Sequence, residues 1–570
     1  MRSSLRWGLV LLVAALVFAA LVGAVALRAR RGAPVRASSV LVIELEGDLP
    51  EQDLRSPIEL VLEGERPVLR VLTGALEKAK RDDRIKAVYL RCRGVDAGFA
   101  KLQEVRDAIR SFRESGKKTF AFLEMGFGAD YYLASSADVV TMIPTGFLDV
   151  SGLMSDVMFF KGTLDKLGVK AELEHIGDYK SASDIFTRDG MSEADREATN
   201  AILDSLYGQI RSDLAEARKI SEEEVTRWID TGLFTGQAAV EAKLVDELIY
   251  EDQVVEEIAR EAGEDFPRIS PESYVRPAGE GRGPVVAVVY ATGGIVTGES
   301  AAGPLGESVT GSDTLVEVLQ ELRARAEVRA VVLRIDSPGG SVIASDAIHR
   351  EAQLLAAGKP LVVSMSDVAA SGGYYIAMPA GCIVAQPGTL TGSIGVVSGK
   401  FNLRGLYDWV GLRREQIKRG RNADIFSDYT PFTEEQRVMV REQMRSVYDG
   451  FVAKASEARK RSPEEIERAA QGRVWTGQQA LEVGLVDEMG GLDRAIAIAK
   501  EKAGIPQGRS VSLEVHPRKR SLLQMLSRGD SVRAERALGS LPPGMRRAAV
   551  VWATAARLRG EPVLLWDPRL

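Results

Sequence analysis

Cysteine and histidine are nearly missing from this chain. Two cysteines, Cys92 and Cys382, serve 570 residues. Each lies near an apolar run and reads as a buried thiol, which excludes a disulfide framework. The three histidines, His175, His349 and His516, have no ligand spacing, so neither a zinc nor a haem site can be read and no cofactor is expected. Positive charge is not in excess either. Lys and Arg number 74 against 80 Asp and Glu, a net charge of −6, which argues against a nucleic-acid partner.

What is present begins with a long apolar run. Trp7 to Leu27 carries no charge. About twenty helical residues at ~1.5 Å each span the ~30 Å hydrocarbon core of a bilayer. The run exceeds the ~7–15 residues of a secretory signal core, so we read residues 1–30 as a retained membrane anchor that meets lipid through residues 7–27, despite the small residues at Ala24-Val25-Ala26. Arg2 and Arg6 precede the run and Arg28, Arg30, Arg31 and Arg36 follow it, so flanking charge does not fix its orientation.

The remainder is too long for one core and contains an internal repeat. Tyr131-Tyr132 recurs as Tyr374-Tyr375, a shift of 243 positions. The same shift takes Pro144 to Pro387, Gly152 to Gly395 and Gly168 to Gly411. Further on, TGQAAVEAKLVDE from Thr235 recurs as TGQQALEVGLVDE from Thr476, now shifted by 241. We therefore expect a first repeat over 39–255, a linker over 256–284 containing PAGEGRGP, a second repeat over 285–505 and a basic tail over 506–570. Short β-branched runs at Val285–Tyr290, Ala330–Asp336 and Pro360–Ser366 alternate with helical spacing such as Ser345–Gly358. Strand, helix, strand in that order implies right-handed crossovers and a mainly parallel α/β sheet. Phe432 to Lys460 reads as a long helix whose counterpart begins near Ser192.

Three glycine motifs fall at strand ends in the second repeat. DSPGGS (Asp336–Ser341) bends at Pro338 and lets backbone approach a ligand at Gly339-Gly340. ASGGYY (Ala370–Tyr375) puts Ser371 at the start of an apolar helix, where free N–H groups favour negative charge. LTGSIGV (Leu390–Val396) reads as an extended segment able to lie along a substrate. Taken alone, Ser371 would be an ordinary helix cap. The comparison of repeats argues otherwise, because Gly128 stands opposite Ser371 and the first repeat has no Gly-Gly turn. A serine nucleophile needs a base. His175 and His349 are possible, and a lysine qualifies if burial lowers its pKa from ~10.4 toward neutrality.

With ASGGYY in the second repeat and Gly177-Asp178-Tyr179-Lys180-Ser181-Ala182 in the first, the chain resembles the long form of the signal peptide peptidase A family over about residues 5 to 505. The resemblance implies two tandem crotonase/Clp-protease-like repeats behind one N-terminal transmembrane helix. It implies Ser371 as nucleophile and Lys180 as general base. Ala423 stands opposite Lys180, so each repeat lacks what the other holds. By analogy the oxyanion donors are N–H groups of Gly339 or Gly340 and of Gly372. Ser393 is a candidate for contact beside the dyad, Asp336 shapes its turn, and Lys418 is the competing base. Further implications are cleaved signal peptides as substrates, a ring-shaped homo-oligomer such as a tetramer, and an inner-membrane location with the catalytic body on the periplasmic side. The rival readings are a crotonase-type acyl-CoA enzyme on the same fold and a non-catalytic membrane scaffold. The sequence leaves open whether Lys180 meets Ser371 of its own chain or of a neighbour. The tail mixes apolar residues with arginines from Arg518 to Arg569, a composition that suits a membrane surface or a subunit contact and equally a solvated or poorly ordered end.

Overall fold

A computed structural model describes residues 35–52, 67–275, 283–302, 308–506, 508–518 and 563–565. The expected anchor at 7–27 lies outside the described residues, among which no helix is long and apolar enough to cross a membrane. Each repeat is built on a mainly parallel sheet. In the first, β1 (Ser39–Asp48), β2 (Ile85–Asp96), β3 (Lys118–Gly126) and β4 (Val139–Asp149) run parallel in that order. Helix α1 (Phe99–Arg113) connects β2 to β3, and α2 (Gly128–Ala134) connects β3 to β4. After β4 come β5 (Lys170–Ile176), the long α3 (Glu193–Arg218), a two-residue strand Glu247–Leu248 beside β4, and two short strands at the ends of the sheet. These are β6 (Leu233–Thr235), antiparallel to β4, and β7 (Arg268–Ile269), parallel to β1.

The second repeat follows the same plan. Its strands include β8 (Val285–Thr292), a short β9 (Gly294–Val296), β10 (Val328–Ser337), β11 (Gly339–Ser341), β12 (Leu361–Ala370), β13 (Leu390–Gly392), β14 (Val396–Asn402) and β15 (Val474–Thr476). Helix α4 (Val342–Ala356) follows β11, α5 (Gly372–Ala377) follows β12, and α6 (Glu434–Arg459) corresponds to α3. A further strand, β16 (Ser512–His516), pairs parallel with β8, as β7 does with β1. The sheet order is therefore β6-β4-β3-β2-β1-β7 in one repeat and β15-β13-β12-β10-β8-β16 in the other.

The apolar runs become strands because both faces of each sheet are covered. Along β10, Val331 and Leu333 enter one core while Ala330 and Val332 enter the core on the opposite face. The repeat register extends to single side chains. The Tyr131 hydroxyl donates to the Leu244 carbonyl at 2.9 Å, and the Tyr374 hydroxyl to the Leu485 carbonyl at 3.0 Å. Both cysteines are buried and free.

Two boundaries differ from the sequence reading. Most of the expected linker belongs to the first repeat, since Ile258, Ala262, Ile269 and Tyr274 are all buried. The first residues of the expected tail belong to the second repeat, because β16 completes its sheet.

A third sheet joins the repeats. In it β5 of the first repeat runs antiparallel to β14 of the second, with Ile176 opposite Val396 and His175 opposite Val397. Buried charge joins them too. The Arg334 guanidinium is fully buried and meets Glu51 at 2.8 Å and Glu104 at 2.9 Å. Lys101 meets Asp336 at 2.8 Å.

Candidate active site

Lys180 follows β5 by four residues, so the strand pairing that joins the repeats also carries this lysine into the second repeat. Its Nζ lies 2.8 Å from Ser371 Oγ, 3.0 Å from Ser393 Oγ and 3.0 Å from the Ser393 carbonyl oxygen. All three contacts form within one chain. The side chain is 1% exposed. Burial pushes its ammonium well below the usual lysine range, and no opposing carboxylate contributes. A neutral amine has two N–H donors and one lone pair. The two Ser393 oxygens and Ser371 Oγ match those three valences in number.

Ser371 sits between β12 and α5 with φ 55° and ψ −111°. A non-glycine residue at such a φ costs about 1–3 kcal/mol and persists only where the surroundings impose it. Here the Ser371 N–H is held by the Gly392 carbonyl at 2.8 Å. The hydroxyl makes no capping bond to α5, so the ordinary helix-cap reading fails. Ser393 is also at positive φ, 53°, and its N–H donates to the Arg473 carbonyl at 2.8 Å.

The glycine turn comes to the same place. A Cβ added to Gly372 would lie 3.0 Å from Gly339 Cα, 3.0 Å from Gly340 N and 2.8 Å from Ser345 Oγ. Gly372 therefore faces the Gly339–Gly340 peptide at contact distance with no room for a side chain. The Gly339 N–H is occupied by Ser337 Oγ at 3.2 Å. Gly372 opens α5, and a first-turn N–H has no acceptor within its helix. Asp336 accepts from the Val368 N–H at 3.2 Å and pairs with Lys101, consistent with a turn-shaping part.

The competing bases lie elsewhere. Lys418 is exposed and paired with Asp424 at 3.0 Å. His175 is exposed, with Nδ1 3.0 Å from the Gly177 carbonyl. His349 packs against the Tyr375 ring at 5.3 Å between centroids, and burial with Lys454 nearby pushes its imidazole down to about 4.

The sequence reading missed the walls around the lysine. A Cβ on Gly472 would lie 2.6 Å from Cα, Cβ and N of Lys180, and one on Gly395 would lie 3.0 Å from Lys180 Cδ. The Tyr179 N–H donates to the Gln471 carbonyl at 2.8 Å. The one available signal was that Thr231 stands where the 241 shift puts the partner of Gly472.

Comparison with known proteins places the chain in a family. The family model described as Peptidase family S49 matches residues 111–264 and 353–506, one match in each repeat. "Serine protease SPPA, chloroplastic" of Arabidopsis thaliana is 35% identical over 493 residues, covering 84% of this chain and 71% of that one. "Protease 4" of Salmonella typhi is 36% identical over 451 residues, covering 76% and 72%. "Protease 4" of Haemophilus influenzae is 29% identical over 462 residues, covering 77% and 73%. Matches on both repeats, together with relatives aligned over most of their own length, show that the chain is a serine peptidase and belongs to peptidase family S49.

Proposed function

We propose that this chain is a cofactor-independent endopeptidase in which Ser371 and Lys180 form the catalytic dyad. The observation that carries the reading is the 2.8 Å approach of Lys180 Nζ to Ser371 Oγ in a buried setting that favours the neutral amine. Lys180 takes the hydroxyl proton as Ser371 Oγ attacks the peptide carbonyl carbon. The tetrahedral oxyanion is held by backbone N–H groups of Gly340 and Gly372. On collapse the C–N bond breaks and the Lys180 ammonium protonates the departing amine, leaving an acyl-Ser371. Water then repeats the cycle, giving its proton to Lys180 and releasing the acid. Ser393 orients the amine through its two oxygens.

Extended, apolar peptides such as cleaved signal peptides suit this site, because the strands that flank it present backbone to a substrate. In the same reading residues 7–27 anchor the chain in the inner membrane, with the repeats on the periplasmic side in a ring-shaped homo-oligomer. Fluorophosphonate labelling followed by peptide mapping tests the dyad. The adduct is expected on Ser371 and absent from both Ser371→Ala and Lys180→Ala. An adduct on another serine would remove the assignment.

A further inference from the structure

A short strand of the tail lies beside the glycine turn. This is β17, Val563–Leu565. It pairs antiparallel with β11, with Gly339 opposite Leu565, Gly340 opposite Leu564 and Ser341 opposite Val563. On its other edge Val563 stands opposite Val397 of β14, again antiparallel. The order through this sheet is β9-β11-β17-β14-β5. Without β17, β11 and β14 have an open slot between them. One wall of the slot carries the expected oxyanion glycines, the other begins three residues after Ser393, and α5 behind Ser371 lies beside it.

A slot that accepts a strand antiparallel on both edges binds any extended peptide by its backbone and adds it to the sheet. Pro562 and Pro568 bracket the docked residues in the sequence, which limits the ladder to the few residues between them. We propose that residues 563–565 are the resident occupant of the peptide-binding slot and compete with substrate from within the same chain. The proposal rests on Ser371 being the reactive serine. A substrate strand and β17 require the same backbone edges, so only one can be seated at a time.

The test compares the full chain with a chain ending at Gly560 and with the full-length Leu564→Pro variant. The proline removes a ladder N–H from a strand paired on both edges. With a quenched-fluorescent apolar peptide, KM is expected to be about tenfold lower in both altered chains, because a tethered competitor raises KM without touching kcat. Unchanged KM in both would overturn the proposal. A fall in the full chain's KM on dilution would assign the slot to a second copy's tail and overturn the intramolecular docking. A binding arm is independent of catalysis. In a Ser371→Ala background, a fluorescein-labelled peptide of sequence EPVLLWDPRL is expected to gain anisotropy with the shortened chain and not with the full one. Equal binding to both chains would overturn the proposal. Absence of turnover in every chain, with the anisotropy difference intact, would instead count against the dyad.

Discussion

Gly472 stands against Lys180 so closely that a Cβ there would lie 2.6 Å from three of the lysine's atoms. Its own φ is +78°, a conformation that resists any side chain. Gly472→Ala must therefore push the lysine backbone away from Ser371 or distort the loop that begins at Gln471. A misplacement of about 1 Å costs about 10²-fold in rate. The expected outcome is a loss of that order in kcat with KM little changed. Retained kcat would show that the close wall is not needed to position the base.

Ser371→Ala separates chemistry from folding. The hydroxyl caps no helix, so its removal forfeits none of the ~0.5–2 kcal/mol that a helix cap supplies. The positive φ of residue 371 stays in either case. Peptidase activity should fall by about 10⁴-fold or more, with the thermal midpoint within about 2 °C of the parent. Turnover of an apolar peptide by the purified variant would sink the nucleophile assignment.

The pH dependence follows from a lysine whose folded pKa is depressed by burial. Only the neutral amine accepts the serine proton, so kcat/KM should climb as pH rises through that lowered pKa and then level off. Stability has the same sign. The unfolded lysine takes up its proton near ~10.4, while the folded one resists until the lower pKa. Between those two points the folded state loses stability as pH falls, and below the folded pKa the loss stops growing. His349→Gln should leave the activity profile unmoved, since His349 packs on Tyr375 and not on Ser371. A profile that loses its rising limb in His349→Gln would transfer the base to the histidine.

Much of this site could be read from the chain. The strand runs at Val285 and Ala330 gave the sheet, and the 243 shift paired Tyr131 with Tyr374, whose hydroxyls bond to matching carbonyls. The intact motifs around Ser371 and Lys180 pointed to residues that the fold brings to 2.8 Å. The parts that escaped notice depend on contacts between distant segments. Nothing in the sequence from Lys170 to Ile176 names β14 as its partner, because strand pairing is decided by packing on both faces and not by propensity. Gly472 carries no motif, and its role exists only once the lysine passes beside it. The expected linker is drawn back from its Pro- and Gly-rich end, PAGEGRGP, yet it supplies Ile269 and Tyr274 to the first core.

Arg334 tests how firmly the two repeats are held together. It is fully buried between Glu51 and Glu104 of the other repeat, with Ser364 Oγ and Ser366 Oγ completing its bonds. Arg334→Met would leave two buried carboxylates without their cation, a change that costs about 3–5 kcal/mol. Urea unfolding should show that loss. A shift under about 1 kcal/mol would mean that the carboxylates find other partners or take up protons.

The last prediction concerns where the dyad is assembled. Lys180 comes from the first repeat and Ser371 from the second, and β5 against β14 carries one to the other within a single chain. Exchanging whole subunits between Ser371→Ala and Lys180→Ala proteins creates no chain with both groups. Mixed oligomers should therefore stay as inactive as either parent. Exchange itself can be followed by differently sized tags, so that an inactive mixture is known to be mixed. Recovered activity would require a lysine that crosses between chains, and β5 would then have to leave β14 of its own chain for that of a neighbour. The alternative therefore predicts a swapped β5–β14 ladder. A disulfide between residues substituted at the facing pair Ala171 and Phe401 distinguishes the two. Within one chain it closes a loop and leaves the mass on a denaturing gel unchanged, whereas a swapped pairing links two chains and doubles it.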